Sequence, residues 1–199
     1  MTHAAQSEVR DGPGRNPAKF PAALRFLHWS MAVLLIGLFA LGLYIHEIPL
    51  EDPGKWTLYP WHRAFGVVAF LLVISRLVTR LSSRIPELPK SISWYERRGA
   101  QIAQLLLYVG MLVVPLAGYV ASSALPELPG IPPLNTIWFF GVELPLAPVA
   151  KNYDTTKIFI TIHKYAAYGM AAIVAAHVVG ALKHRYFDKP EHDVLSKMI

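Results

Sequence analysis

Four stretches of this chain, residues 24–45, 61–81, 99–125 and 158–182, run for about twenty residues or more with scarcely a charge, and a bilayer core requires roughly 20 apolar residues of helix. Backbone inside lipid must satisfy its own hydrogen bonds, so such segments fold as helices or not at all. The expected fold class is all-α, an integral membrane bundle of four transmembrane helices. The first span is uncharged after Arg25, and the third has no charge but contains Pro115, a kink that neighbouring helices accommodate. The second carries Arg76 and Arg80 in its last turns, and the fourth carries Lys164 near its start. A fifth apolar stretch, residues 131–149, holds Pro132, Pro133, Pro145 and Pro148 with Glu143. It is expected to lie at the interface or cap the bundle rather than cross.

Composition agrees with a membrane class, since 54% hydrophobic and 16% charged residues are too apolar for an ordinary soluble domain of 199 residues. With no cysteine, disulfides, iron–sulfur clusters, covalently attached haem and thiol catalysis are excluded. The net charge of +6 reads as topology, with no basic stripe that suggests nucleic acid. Of the 19 Lys and Arg residues, only Lys55, Arg63, Lys151, Lys157 and Lys164 fall on the side that holds residues 47–60 and 126–157. The positive-inside rule therefore puts both termini in the cytoplasm, at what is called here the inner end, with the two Pro-rich loops at the outer end. Trp56, Trp61 and Trp138 suit an outer aromatic belt, and Trp29 and Trp94 an inner one. Residues 1–21 read as a disordered cytoplasmic tail, residues 22–187 as the membrane domain and residues 188–199 as a second cytoplasmic tail.

Four histidines, His28, His62, His163 and His177, fall within the spans, where polar side chains are rare and usually functional. A single one is as readily a hydrogen-bonded packing residue, but their joint placement says more. His163 and His177 are fourteen residues apart on one helix, about 21 Å along its axis and only about 40° around it. Matching depths across antiparallel spans sets His28 with His177 at the inner side and His62 with His163 at the outer side. Two pairs at two depths on facing helices suit two six-coordinate haems, because bundle cofactor sites are built from inward-projecting side chains. Zinc normally wants four grouped ligands, and nothing completes either pair to four.

Haem propionates need cationic partners. Arg63 and Lys164 directly follow the outer ligands, and Arg76 lies at the inner depth on the second span, where it reads equally as cytoplasmic flank. Gly37, Gly66, Gly110, Gly118 and Gly169 offer places where a flat macrocycle can approach a helix backbone. His3 and His192 lie in polar tails and read as bystanders, and His46 reads as interfacial. His184, within Lys183-His184-Arg185-Tyr186, either binds a quinone headgroup or snorkels with its basic neighbours. At the same end Trp29, Ser30 and Arg185 add an indole, a hydroxyl and a cation suited to a quinone ring.

Taken together, several motifs make residues from about 22 to 199 resemble the bacterial four-helix cytochrome b561 group, which includes the superoxide oxidases. They are Leu27-His28-Trp29, Trp61-His62-Arg63, Ser75-Arg76-Leu77, Leu112-Val113-Val114-Pro115-Leu116-Ala117-Gly118, His163-Lys164, Ala176-His177 and His184-Arg185-Tyr186-Phe187. The chain departs from that group in its longer Pro-rich loop before the fourth span. The resemblance implies two b haems ligated by the pairs above, electron exchange with ubiquinone, and a place in the bacterial inner membrane. The expected function is electron transfer between an outer-side donor and membrane quinone. One form of it is a superoxide:ubiquinone oxidoreductase. The alternative is a haem-carrying anchor subunit that relays electrons for a larger dehydrogenase or hydrogenase, and a haem-free structural or transport protein would leave the four histidines unexplained. Five outer basic groups face six acidic ones, Glu47, Glu51, Asp52, Glu127, Glu143 and Asp154. No broad positive field therefore steers an anion, although Arg63, Lys157 and Lys164 can form a local funnel.

Overall fold

The computed structural model describes residues 19–83 and 91–199. Most of the N-terminal tail and the connection that holds Arg84 and Lys90 lie outside that description. Four long helices dominate: α1 (Ala22–Glu47), α2 (Pro53–Ser82), α3 (Trp94–Ser123) and α4 (Tyr153–Tyr186). All four are long and apolar enough to cross a membrane, so the molecule is a helical membrane bundle. Its surface fits that solvent: Val33 on α1 is 74% exposed and Val179 on α4 is 66% exposed. Small residues occupy the helix interfaces, with Ala64 and Ala69 of α2 and Ala117 and Ala121 of α3 all buried, as expected where van der Waals contact rather than water exclusion drives packing.

Helix boundaries follow capping chemistry more than hydropathy. Asp52 caps α2 by accepting from the Gly54 N–H, and Pro53 occupies the first turn where no N–H is needed. The helix therefore starts well before Trp61 and carries Pro60 inside it. Asn152 accepts from the N–H groups of Asp154 and Thr155 and starts α4. At 34 residues, α4 is about 51 Å long and overreaches a ~30 Å hydrocarbon core.

α1 packs on α2, α3 on α4, and α2 on α3, whereas the backbones of α1 and α4 approach far less closely. The bundle is thus two helical hairpins hinged along α2 and α3. Across the α1–α4 gap stand side chains: His28 faces His177 with ring centres 6.3 Å apart, and Phe39 faces Tyr168 at 6.0 Å. The α1–α2 turn is tied by Lys55, buried, whose Nζ donates to the Ile48 carbonyl at 2.7 Å.

The fifth apolar stretch forms a two-stranded hairpin, β1 (Ile137–Phe139) with β2 (Val142–Leu144). Its two-residue turn has Phe140 at φ 48° and Gly141 at φ 95°, the twist a tight hairpin needs. β1 packs on α2, and Trp138 meets Trp61 edge to face with ring centres 5.0 Å apart. Ser123 Oγ accepts from the Ala147 N–H at 3.0 Å, and the Tyr119 hydroxyl donates to the Pro145 carbonyl at 2.9 Å. The stretch caps the outer end of the bundle. At the inner end the chain after α4 makes a short 3-10 turn, Pro190–His192, and returns to the start of α1. There Phe20 N donates to the Lys197 carbonyl and Trp29 Nε1 to the Met198 carbonyl.

Candidate functional site

Each of the two histidine pairs draws one member from α4. His28 and His177 have ring centres 6.3 Å apart, and His62 and His163 6.1 Å apart, with interplanar angles of 70° and 77°. An imidazole nitrogen sits about 2.0 Å from a bound metal, which puts its ring centre roughly 3 Å away, so two ligands on opposite sides of one ion have ring centres about 6 Å apart. Both pairs match that span.

The rings differ in how they are held. His163 Nδ1 lies 2.8 Å from the Val114 carbonyl. A carbonyl only accepts, so Nδ1 carries the proton and Nε2 keeps a free lone pair, the arrangement usual for a ligating histidine. A Cβ at Gly118 would lie 2.9 Å from that same Nδ1, so α3 presses its backbone against the ring. His62 packs against α1 at Gly42, where a Cβ would lie 3.3 Å from Cε1. Its Nδ1 is buried without a hydrogen-bond partner, so steric contact rather than a polar bond orients this ring. His28 Nδ1 lies 2.9 Å from Arg76 Nη1. A guanidinium only donates, so here Nδ1 accepts and the proton belongs on Nε2. Arg76 is further held by Tyr108, whose hydroxyl accepts from Nε at 3.3 Å.

Of the remaining candidates, Arg63 lies over the Tyr59 ring at 5.2 Å with its Nε buried and unpartnered. Lys164 Nζ is 3.3 Å from His46 Nε2. Gly37, Gly66 and Gly169 have open space where a Cβ would stand. Gly110 and Gly118 instead receive the Met170 and His163 side chains, so these two serve close side-chain packing. Trp29 and Ser30 line a groove of about 780 Å³ on the inner part of α1, closed at one edge by Met198 and Ile199. His184 and Arg185 make their polar contacts elsewhere, with Asp188 and Asp193. The set expected around a quinone ring is thus divided between the α1 groove and the end of α4.

Sequence reading missed Gly42, whose role depends on a partner from another helix, and it set His192 aside as a bystander. The turn at Pro190–His192 places the His192 ring 6.5 Å from that of His184. A His-x3-Asp-x3-His spacing from His184 to His192 was the available signal.

Four apolar helices that carry two opposed histidine pairs at two depths define a membrane protein of the cofactor-binding bundle class. A family model described as prokaryotic cytochrome b561 matches residues 19–199, and the chain belongs to that family. It is accordingly a multi-pass bacterial membrane protein of a family that binds b-type haem and transfers electrons. The chain is also similar to "Cytochrome b561 homolog 2" of Escherichia coli (strain K12), 25% identical over 183 residues that cover 92% of each chain.

Proposed function

We propose that this chain holds two b haems, one between His28 and His177 and one between His62 and His163, and moves electrons between an outer-side donor and membrane ubiquinone. The observation that carries the reading is the pair of 6.3 Å and 6.1 Å ring separations, each a span in which two imidazoles would hold one iron. Bound haem supplies a one-electron carrier whose potential depends on axial ligation, burial and hydrogen bonding.

The chain's own residues have distinct tasks in this scheme. Val114 fixes the His163 tautomer for ligation through Nε2. Ligation by His28 through Nε2 requires its proton on Nδ1, so Arg76 must take another acceptor, and we assign it an inner haem propionate. Arg63 and Lys164 beside the outer ligands are assigned the outer propionates and the attraction of a small anionic donor. Superoxide fits that description: two anions give up one electron each and leave as dioxygen, and ubiquinone takes both electrons with two protons to become quinol. At the inner end Trp29 and Ser30 offer an apolar groove with polar edges, and His184 with Arg185 offers a proton-carrying ring and a cation.

The test uses the purified full-length chain. Haem content should approach two per polypeptide with low-spin b-type spectra, and superoxide should drive quinone reduction without any other protein. One haem per chain would overturn the pairing. Quinone reduction that appears only with a docked dehydrogenase or hydrogenase would replace the enzymatic form with the anchor-subunit form.

A further inference from the structure

Beyond the haem pairs, a separate group of ligating side chains converges at the inner end, just past α4. His184, Asp188 and His192 each offer an atom within 4.8 Å of the others. Their side chains are only 17%, 18% and 12% exposed, so they converge out of full contact with water. None belongs to either ring pair that spans the bundle.

Hydrogen bonding fixes the proton on each imidazole. His184 Nδ1 lies 2.6 Å from Asp188 Oδ2. A carboxylate only accepts, so without an ion Nδ1 donates; an ion shared with Asp188 would replace that proton at Nδ1 and leave Nε2 protonated. Ser91 Oγ donates to Glu191 Oε1 at 2.7 Å and lies 2.8 Å from His192 Nε2. With its proton committed to Glu191, the hydroxyl accepts from His192 Nε2–H, which frees the Nδ1 lone pair. His192 therefore shows the pattern typical of a metal-ligating histidine, with one nitrogen bonded through a hydroxyl to a carboxylate and the other left for the ion, while His184 Nδ1 and Asp188 Oδ2 already face each other.

Charge allows a cation here. Lys183 lies 3.3 Å from Asp188 but also pairs with Glu96, and Arg185 pairs with Asp193. Both nearby bases thus have carboxylates of their own. Burial works against the charge on Asp188, but hydrogen bonds from His184 and Lys183 outweigh it and hold the carboxyl below its ordinary range. It is ionised at neutral pH.

We infer that His184, Asp188 and His192 form a site for a borderline divalent transition-metal ion of the zinc type, with water completing the coordination. Two imidazoles and one carboxylate are the donor set such an ion takes in open sites. Ligands about 2.0–2.1 Å from zinc lie roughly 3.3 Å from one another, so an ion between His184 Nδ1 and Asp188 Oδ2 would widen their 2.6 Å separation and draw His192 in. A bound ion would tie the turn after α4 to Ser91, ahead of α3, through the His192 bond.

The experiment adds zinc chloride to the purified haem-loaded chain, without a polyhistidine tag, in detergent micelles. Calorimetry should read one saturable zinc per chain. His192→Ala should abolish that binding, and Glu191→Gln should weaken it about tenfold or more, with haem spectra unchanged in both. Amide exchange over residues 187–193 should slow with zinc in the unmodified chain and not in His192→Ala. Absence of saturable binding, or His192→Ala binding zinc as tightly as the unmodified chain, would overturn the site. Neither readout depends on quinone or superoxide, so failure of the site and failure of the proposed electron route are separable.

Discussion

A β-carbon at position 118 would stand 2.9 Å from His163 Nδ1 and 3.1 Å from Cε1, whereas one at position 42 would stand 3.3 Å from His62 Cε1. The first distance demands that something shift, and the second only that the ring yield a little. Overpacking of this kind costs about 1–3 kcal/mol. Gly118→Ala should therefore lower outer haem retention, with haem per chain falling from two toward one, and Gly42→Ala should have a smaller effect. Equal retention by both variants, measured as haem per polypeptide after size-exclusion chromatography, would remove the steric constraint from the account. Arg76 poses a question of charge. A half-buried guanidinium on a membrane helix needs an acceptor, and a hydrogen bond to a charged group is worth about 1.5–3 kcal/mol. Arg76→Leu should shift the potential or reduce the occupancy of the inner haem and spare the outer one. Redox titration that finds both potentials unchanged would leave Arg76 a topology signal alone. The four histidines were legible because helical periodicity and depth are properties of one chain read in order. Gly42 and Tyr108 were not, because each matters only through a side chain from another helix.

Among the elements, the segment between α3 and α4 decides what reaches the outer histidines. Ser123 is buried, donates to the Tyr119 carbonyl at 2.8 Å and accepts from the Ala147 N–H at 3.0 Å. Alanine at this position would leave the Ala147 N–H unpaired at a part-buried position, a cost of about 1–3 kcal/mol. Ser123→Ala should speed amide exchange across residues 137–149 and hasten access of a bulky soluble reductant to the outer end, with haem content unchanged. Exchange at the unmodified rate would mean that Tyr119 and the Trp61–Trp138 contact hold the hairpin alone. Hydropathy marked four spanning segments but not where each helix begins. Asp52 with Pro53 and Asn152 start α2 and α4 outside the apolar runs, through cap bonds that hydropathy ignores. The prolines of residues 131–149 correctly argued against a fifth span, yet the hairpin rests on Phe140 at positive φ, a conformation that residue type does not announce. The stretch after α4 reads in the sequence as a cytoplasmic tail, with no sign of its contacts. It folds back through polar and backbone bonds, from Arg185–Asp193 to Phe20–Lys197 and Trp29–Met198.

At the scale of the whole molecule, two helical hairpins face each other across a gap bridged by one histidine pair near each end, and the ends are unlike. The outer end sets His62 and His163 beneath the hairpin and its Pro-rich flanks, with Arg63 over Tyr59 and Lys164 beside His46. A small anion finds cations there, beside the aromatic cluster of Trp61, Phe65, Trp138 and Phe140. The inner end sets His28 and His177 near an open apolar groove on α1, and it gathers His184, Arg185 and Asp188 at the end of α4. Quinone reduction consumes two protons, and the inner end offers the α1 groove and, separately at the end of α4, an imidazole whose Nδ1–H is committed to a carboxylate and whose Nε2 is free to exchange protons. Electrons are thus expected to enter at the outer end and leave at the inner one. His184→Ala should slow quinone reduction about a hundredfold, the low end of what one positioned acid–base group contributes. Haem content and the rate at which superoxide bleaches the oxidised spectrum should stay as they were. Chelation of trace metal before the assay keeps zinc at His184 and His192 from mimicking the effect. Quinone reduction by His184→Ala at the unmodified rate, or quinone analogues that protect only the outer end from labelling, would reverse the assignment of the two ends.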